Sequence, residues 1–137
     1  MANGTKQKLF KGRCLCGAVA FEATGPALKP HTCSCGMCRR HTGALTAAWV
    51  EFPRDAVKWT GAGGSPALYR SSAHSSRAFC PVCGSSLGAV DDAPVVALLV
   101  GAFDRPNSRE LKPSYHSSRS ARPAWWQVHV AADEPPA

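Results

Sequence analysis

The sequence has few charged residues, few aromatic residues and no long hydrophobic run. Charged side chains make up 18% of its 137 residues, and aromatic side chains make up 8%. The longest apolar stretch, residues 93–103, is well short of the roughly 18 residues that a transmembrane helix needs. Residues 1–8 contain no apolar segment of the kind that secretory signals carry. We therefore expect no membrane span and no export, and we predict a cytoplasmic protein.

Glycine and proline are plentiful by comparison, with 12 and 11 copies. This composition favours a strand-based domain with irregular loops over a helical bundle. The length suits one domain, since typical domains hold roughly 100–150 residues. No glycine-rich phosphate loop or dinucleotide-binding fingerprint is present. We predict a single small all-β domain over residues 12–130, with a flexible lead-in at 1–11 and a tail at 131–137.

Apolar alternation and turn residues predict the strands of this domain. The predicted strands are residues 13–24, 44–52, 57–60, 67–71, 76–79, 86–90 and 95–103, the last buried on both faces. Residues 26–31 are predicted to be a loop, and residues 33–43 a turn followed by one helical turn. The four tryptophans are predicted to lie in the core or in a pocket wall; they are Trp49, Trp59, Trp125 and Trp126.

Seven cysteines carry the strongest chemical signal in the sequence. They form three clusters: Cys14 and Cys16; Cys33, Cys35 and Cys38; Cys80 and Cys83. In a reducing compartment, clustered cysteines are more often metal ligands or catalytic groups than disulfides. Pro81 and Gly84 favour a tight turn that aims the last two sulfurs at one point. The spacing therefore predicts a metal site, with zinc as the expected ion.

Seven thiols divide naturally into a set of four and a set of three. Four ligands make a closed structural zinc site, whereas three leave a position open for water or substrate. The first and last clusters would join distant segments of the chain, and the central cluster lies within six residues. We predict two zinc sites on this basis. The alternative that four of the cysteines hold one ion, with three thiols left free, stays open.

The order of these motifs resembles the glutathione-dependent formaldehyde-activating enzyme family, which includes centromere protein V. The resemblance rests on residues 12–19, 33–40, 79–84 and a late segment at 115–125. It implies a β-tent-like fold built around zinc. It also implies that Cys14, Cys16, Cys80 and Cys83 form the structural site, and that Cys33, Cys35 and Cys38 form a catalytic-type site. The founding activity of the family joins glutathione to formaldehyde through a carbon–sulfur bond. The loop at 61–65 is shorter here than in longer members.

Two functions follow from these observations as hypotheses. The first is a zinc-dependent carbon-sulfur lyase that acts on adducts of a small, glutathione-like thiol with an aldehyde such as formaldehyde. The catalytic residues would be the central cysteines with Arg39 and Arg40, one of which could bind a substrate carboxylate. Both arginines could equally balance thiolate charge or lie in solvent. The second hypothesis is a non-catalytic zinc module that binds protein or nucleic acid.

The net charge of +7 supports that second hypothesis only weakly. Seven thiolates around two Zn²⁺ ions would lower the charge to about +4. The basic residues are scattered, so specific nucleic-acid binding is not expected. Among the histidines, His41 could move a proton or serve as an extra ligand, although a structural role is the stronger expectation. His31 and His116 could approach the site, whereas His74 and His129 are expected at the surface.

Overall fold

The structure is a computed structural model, and it describes residues 7–130 of the chain. The predicted tail at 131–137 and the first six residues of the predicted lead-in lie outside the described residues. The strands are β1 (Leu9–Arg13), β2 (Ala20–Thr24), β3 (Leu28–Cys33), β4 (Ala47–Pro53), β5 (Val57–Trp59), β6 (Ala67–Arg70), β7 (Ser75–Phe79), β8 (Ser86–Asp91), β9 (Val95–Leu99) and β10 (His116–Ser117). One α-helix, α1 (Gly36–Thr42), follows β3. Short 3₁₀ helices span Arg54–Ala56, Val100–Ala102, Arg109–Leu111 and Arg119–Ala121.

The strands form two sheets, which confirms the predicted all-β class. The smaller sheet has the order β1-β2-β5, and the larger has the order β10-β3-β4-β9-β8-β7-β6. All strand pairs are antiparallel except β10 with β3, which is parallel. Because β10 comes from the end of the described chain, this pairing brings the C-terminal segment against the strand that leads into the central cysteines.

An aromatic cluster holds the two sheets together. Phe10 and Phe21 point inward from β1 and β2, where buried and exposed residues alternate with the period of two that a strand imposes. Phe10 lies 5.6 Å from Phe52 of the larger sheet, and Phe21 lies 5.0 Å from Phe103, measured between ring centroids. Burial of such a side chain contributes about 1.5–3 kcal/mol. A separate cluster packs the two cysteine-bearing hairpins against each other; its buried residues are Cys14, Val19, Ala78, Cys80 and Leu87.

The segment at residues 13–24 is a hairpin and not the single strand that the sequence predicted. β1 ends at Arg13, the chain turns through residues 14–19, and β2 begins at Ala20. Gly17 adopts a positive φ of 84°, and the Cys14 amide donates to the Val19 carbonyl across the turn. Alternation alone could not reveal this turn, because the cysteines in it count as apolar. The first strand also begins at Leu9, inside the predicted lead-in.

Two other segments differ from their predictions. The predicted loop at 26–31 is largely β3, which pairs with β4 across a register shift between Leu28 and His31. The bulge accommodates Pro30, which has no amide proton to give to the ladder. The apolar run at 95–103 is a strand only to Leu99, and Val95 and Ala97 are partly exposed. That strand is therefore not buried on both faces.

The tryptophans fall into two groups. Trp49 is buried with 4% of its surface exposed, and Trp59 packs against the core. Trp125 and Trp126 are 73% and 37% exposed, so of the two predicted places, the core or a pocket wall, the core is wrong for them. Both follow the last strand, in a segment that has no sheet neighbour.

Candidate metal centres

Two hairpin turns bring four cysteines together. Cys14 and Cys16 lie in the β1–β2 turn, and Cys80 and Cys83 lie in the β7–β8 turn. Their four Sγ atoms all lie within 4.8 Å of one another. The Cys14 and Cys16 sulfurs are 3.6 Å apart, and the Cys16 and Cys80 sulfurs are 3.8 Å apart. Tetrahedral zinc with Zn–S bonds of about 2.3 Å separates its sulfurs by about 3.8 Å. The four-cysteine cluster therefore fits a closed metal site.

Backbone amides surround these four sulfurs. The Val19 amide lies 3.4 Å from Cys14 Sγ, and the Ala18 amide lies 3.5 Å from Cys16 Sγ. The amides of Val82 and Cys83 both lie 3.4 Å from Cys80 Sγ. Donors at these positions stabilise thiolates and fix the directions of the ligands. The tight turns therefore position the sulfurs and also supply the amide donors that stabilise them as thiolates.

Ser85 links the two turns of this cluster. Its hydroxyl oxygen lies 3.1 Å from Cys83 Sγ and accepts a hydrogen bond of 3.0 Å from the Leu15 amide in the opposite turn. This hydroxyl, helped by neighbouring backbone amides, lowers the pKa of Cys83 to about 5. Although the Ala18 amide lowers it, desolvation and the neighbouring thiols raise the pKa of Cys16 to about 11, so the thiols of this cluster lose their protons unevenly until a metal binds them as thiolates.

The central cysteines form a second, smaller cluster. Their three Sγ atoms also lie within 4.8 Å of one another. Cys33 ends β3, Cys35 caps the N-terminus of α1, and Cys38 lies in the first turn of that helix. The Cys38 amide donates to Cys35 Sγ at 3.3 Å. Among the described residues, no fourth histidine, cysteine or carboxylate joins this group. The triplet therefore fits an open metal site with three protein ligands.

Side chains tune the sulfurs of the triplet. A hydrogen bond from Cys38, with smaller help from the Cys35 amide and the Ser118 hydroxyl, lowers the pKa of Cys33 to about 4. The same pairing raises the pKa of Cys38. The two shifts run in opposite directions, so Cys33 is the sulfur of this pair that loses its proton more easily.

An open cavity of about 640 Å³ lies beside the triplet, between α1 and the β6–β7 hairpin. The lining residues are Met37, Arg40, His41, Tyr69, Ser71, Arg77, Phe79, Gly84 and Ser86. Arg77 connects this cavity to the cysteines, since its Nη1 lies 3.9 Å from Cys38 Sγ and 3.4 Å from His41 Nδ1. The Arg77 guanidinium also lies over the Trp49 ring, 5.3 Å from its centroid. A positive charge is therefore fixed at the edge of the triplet.

Comparison with known proteins agrees with this geometry. The chain matches the family described as glutathione-dependent formaldehyde-activating enzyme over residues 9–120. The chain belongs to this family. A crystal structure of a protein from Rhodobacter sphaeroides superposes with a TM-score of 0.59 at 24% identity, over 79% of this chain and 99% of that one. That likeness supports the fold. Among curated protein sequences, none matches the chain significantly.

The family membership confirms the resemblance seen in the sequence. The two groups of four and three cysteines, predicted from spacing and resemblance, are the two groups that the fold brings together. Each can hold a metal ion, and all-thiolate ligand sets suit zinc. Within residues 7–130, no helix is both long enough and apolar enough to cross a membrane.

The two arginines that follow the triplet in this family member point to different surroundings. Arg39 Nε donates to the Ser34 carbonyl at 3.3 Å, which braces the loop between Cys33 and Cys35. Arg40 is exposed and lines the cavity. The two arginines are adjacent in the sequence, but the helix turns successive side chains by about 100° and so separates them.

A buried polar network supports the other side of the triplet. The Ser34 hydroxyl lies 2.9 Å from His116 Nε2 and 2.8 Å from Thr46 Oγ1. The indole of Trp126 donates to Thr46 Oγ1 at 2.8 Å. His116 therefore approaches the site as predicted, through its contact with Ser34, which lies between Cys33 and Cys35 in the chain. This network attaches the C-terminal segment to the triplet.

The remaining histidines have distinct positions. His31 stacks on Tyr115, with ring centroids 5.0 Å apart and an interplanar angle of 4°. His74 and His129 are exposed, as predicted. The pKa of His41 is lowered by burial and by the nearby charge of Arg77, which favours the neutral imidazole that can accept the Arg77 hydrogen bond.

Sequence reasoning missed Arg77. It occupies the middle of β7, 39 residues after Cys38, and no local motif marks it. Only the register of β7 against β8 and its closeness to α1 bring it to the cysteines. The one feature of the sequence that marks Arg77 is its charge, because it lies within a strand that leads into the ligand pair Cys80 and Cys83.

Proposed function

We propose that this protein is a zinc-dependent carbon-sulfur lyase that acts on adducts of a small thiol with an aldehyde such as formaldehyde. The observation that carries the proposal is the three-cysteine cluster, because three thiolates hold a metal and leave one position open. A zinc ion held by Cys33, Cys35 and Cys38 would help a bound thiol to lose its proton. The adjoining cavity gives the rest of the substrate a place to bind.

The reaction is the reversible cleavage of a hemithioacetal. In the cleavage direction the carbon–sulfur bond breaks, its electron pair goes to sulfur, and the hydroxyl proton leaves as the carbonyl forms. In the synthetic direction the thiol loses its proton, its sulfur attacks the aldehyde carbon, and the oxygen gains a proton. No oxidant or reductant is needed. The protein therefore has to orient the sulfur and stabilise it as an anion.

Several residues of the chain have assigned roles in this proposal. Arg77, fixed between Trp49 and His41, stabilises negative charge on sulfur at the edge of the triplet. Arg40 contacts the substrate from the cavity wall. Arg39 positions the ligand loop through the Ser34 carbonyl, and it does not contact substrate.

The four-cysteine cluster has a structural role in the same proposal. A zinc ion there would join the β1–β2 and β7–β8 turns, and its binding free energy would become folding free energy. The proposal includes a cytoplasmic location, since thiolate ligands need reduced cysteines. The partners it names are a small thiol and an aldehyde, with no specific nucleic acid.

The test is the rate of thiol–aldehyde exchange, measured by NMR magnetisation transfer with glutathione and formaldehyde at equilibrium. Wild type should accelerate the exchange above the buffer rate, and Cys35→Ser should abolish the acceleration. Arg105→Gln, an exposed loop variant, is the control and should match wild type. Equal rates for wild type and Cys35→Ser, with several thiols and aldehydes tried, would reject the proposal.

A further inference from the structure

The cavity beside the triplet is positively charged. Two of its lining residues are arginines, Arg40 and Arg77, and none carries a carboxylate. Among the described residues, the ion pairs are Lys8–Glu110, Lys11–Glu22 and Arg70–Asp92, so neither of the cavity arginines takes part in one. Two guanidinium groups that face one cavity without a counterion favour an anionic ligand, and their fork geometry suits a carboxylate.

Arg77 is held ready for such a ligand. Trp49 lies beneath its guanidinium plane and His41 accepts one of its hydrogen bonds, so its orientation is fixed from two sides. Its Nε atom is buried and has no hydrogen-bond partner in the structure. A buried donor without a partner is costly, and a carboxylate offsets that cost only if it binds Nε itself.

The other walls of the cavity combine apolar side chains with His41 and the hydroxyl groups of Tyr69, Ser71 and Ser86. Met37 is 41% exposed and Tyr69 is 66% exposed at its mouth, and Phe79 lines it as well. Its volume of about 640 Å³ lies within the usual range of about 300–1,000 Å³ for small-molecule sites. The apolar side chains of these walls can contact the hydrocarbon part of a small acid. The cavity therefore has room for such a ligand.

The position of Arg77 also limits how far the carboxylate can be from the reacting sulfur. Its Nη1 lies 3.9 Å from Cys38 Sγ, so an anion bound to Arg77 lies within a few bond lengths of whatever the triplet binds. We infer that the substrate is a short mercapto acid, or its aldehyde adduct, whose carboxylate binds Arg77 and Arg40 while its sulfur binds at the triplet. This inference rests on the proposed function and narrows its substrate class.

The experiment compares two thiols that differ only in charge. Isothermal titration calorimetry would measure 3-mercaptopropionate and 3-mercaptopropionamide against the zinc-loaded full chain. Wild type should bind the acid at least about tenfold more tightly than the amide, which is the usual size of one charge-assisted contact. Glutathione, whose carboxylates are farther from its sulfur, should bind more weakly than the short acid.

Variants assign that preference to the two arginines. Arg77→Gln should reduce the preference for the acid to about twofold or less: both thiols should bind more weakly, because Arg77 lies beside the triplet, and the acid should lose more affinity than the amide. Arg40→Gln should reduce the preference for the acid by about threefold. Because Arg40 lies on the exposed face of α1, this variant tests the inference even if Arg77→Gln affects folding. Arg105→Gln should leave the preference unchanged. Equal binding of acid and amide to wild type, or a preference that survives both substitutions, would overturn the inference.

A sulfur-free acid separates this inference from the proposed function. 3-Phenylpropionate should bind wild type and lose its binding in Arg77→Gln, because the cavity recognises the carboxylate without the triplet. If this acid binds in that way but neither thiol does, the carboxylate site holds and the lyase proposal fails. If both thiols bind equally and the sulfur-free acid does not bind, the lyase proposal survives and the mercapto-acid assignment is wrong.

Discussion

The two cysteine clusters use one kind of ligand in two different ways. The four-cysteine cluster joins hairpin turns that lie far apart in the chain, with Cys16 and Cys80 separated by 64 residues. The triplet lies within six residues at the junction of β3 and α1. Closing a long loop costs more chain entropy than closing a short one, so a metal at the first cluster restrains the unfolded chain far more. This difference in ligand separation is the reason why we propose a structural role for the four-cysteine cluster and a reactive role for the triplet.

The groups that surround the sulfurs also differ between the two clusters. Backbone amides of the tight turns serve the four-cysteine cluster, and Ser85 completes it. The triplet is contacted by the Cys35 and Cys38 amides and also by side chains, with Arg77 on one side and Ser118 on the other. Amides of a turn cannot move without unfolding it, whereas side chains can respond to a ligand. Arg77 connects the triplet to one open cavity, while Cys14 and Cys83 of the four-cysteine cluster line another.

The largest expected effect is the loss of the fold in Cys83→Ser. This change removes one ligand of the cluster that joins the two hairpins, and structural zinc can supply much of the folding free energy of a small domain. We expect a loss of more than about 3 kcal/mol, seen as insoluble protein or as the absence of a cooperative thermal transition. A soluble Cys83→Ser protein that keeps its metal and melts like wild type would contradict the structural assignment.

The next effect is a loss of activity without a loss of fold in Cys35→Ser. Cys35 caps α1 and is only partly buried, so serine preserves the cap while removing a sulfur ligand. Thiol-dependent exchange should fall to the buffer rate, and the free energy of unfolding should fall by less than about 2 kcal/mol. Circular dichroism melting and NMR exchange would be measured on the same sample. Unfolding as complete as that of Cys83→Ser would remove the distinction between the clusters.

A smaller contrast compares the two serines that serve the clusters. Ser85→Ala should lower the free energy of unfolding by about 1 kcal/mol, because it removes the hydroxyl that contacts Cys83 Sγ and the Leu15 amide. Ser118→Gly should lower the free energy of unfolding by less than Ser85→Ala does. Glycine is chosen because Ser118 has a positive φ of 58°, which glycine adopts without strain. Instead, Ser118→Gly should weaken metal binding at the triplet. Chelator competition and urea denaturation would measure the two effects, and a reversed order would argue against the assignment.

The smallest expected effect is on nucleic-acid binding. The basic residues are scattered along the chain, and a metal-loaded chain is less positive than its formal +7. Any binding to DNA or RNA should be non-specific and should collapse as salt rises from about 50 to 200 mM. Fluorescence anisotropy with labelled oligonucleotides would measure it. Tight, sequence-specific binding at physiological salt would favour a recognition module over an enzyme.

The cysteine groups could be predicted from the sequence, and much around them could not. Ligand spacing such as that of Cys80 and Cys83 is local, so the sequence displays it directly. The hairpin within residues 13–24 was missed because the ligand turn itself interrupts an apparently continuous pattern. Arg77 was missed because strand register and not local sequence brings it to Cys38. Trp125 was misplaced because size and apolarity favour burial, while its segment lacks a neighbouring strand.

The most direct test of the four-plus-three account is native mass spectrometry of wild type and Cys38→Ser, purified without added metal. The account predicts about two zinc ions in wild type and about one in Cys38→Ser, with both proteins giving the compact charge-state distribution of a folded chain. The remaining ion in the variant would belong to the four-cysteine cluster. One zinc ion in both proteins, or a Cys38→Ser protein that is metal-free and unfolded, would contradict the account.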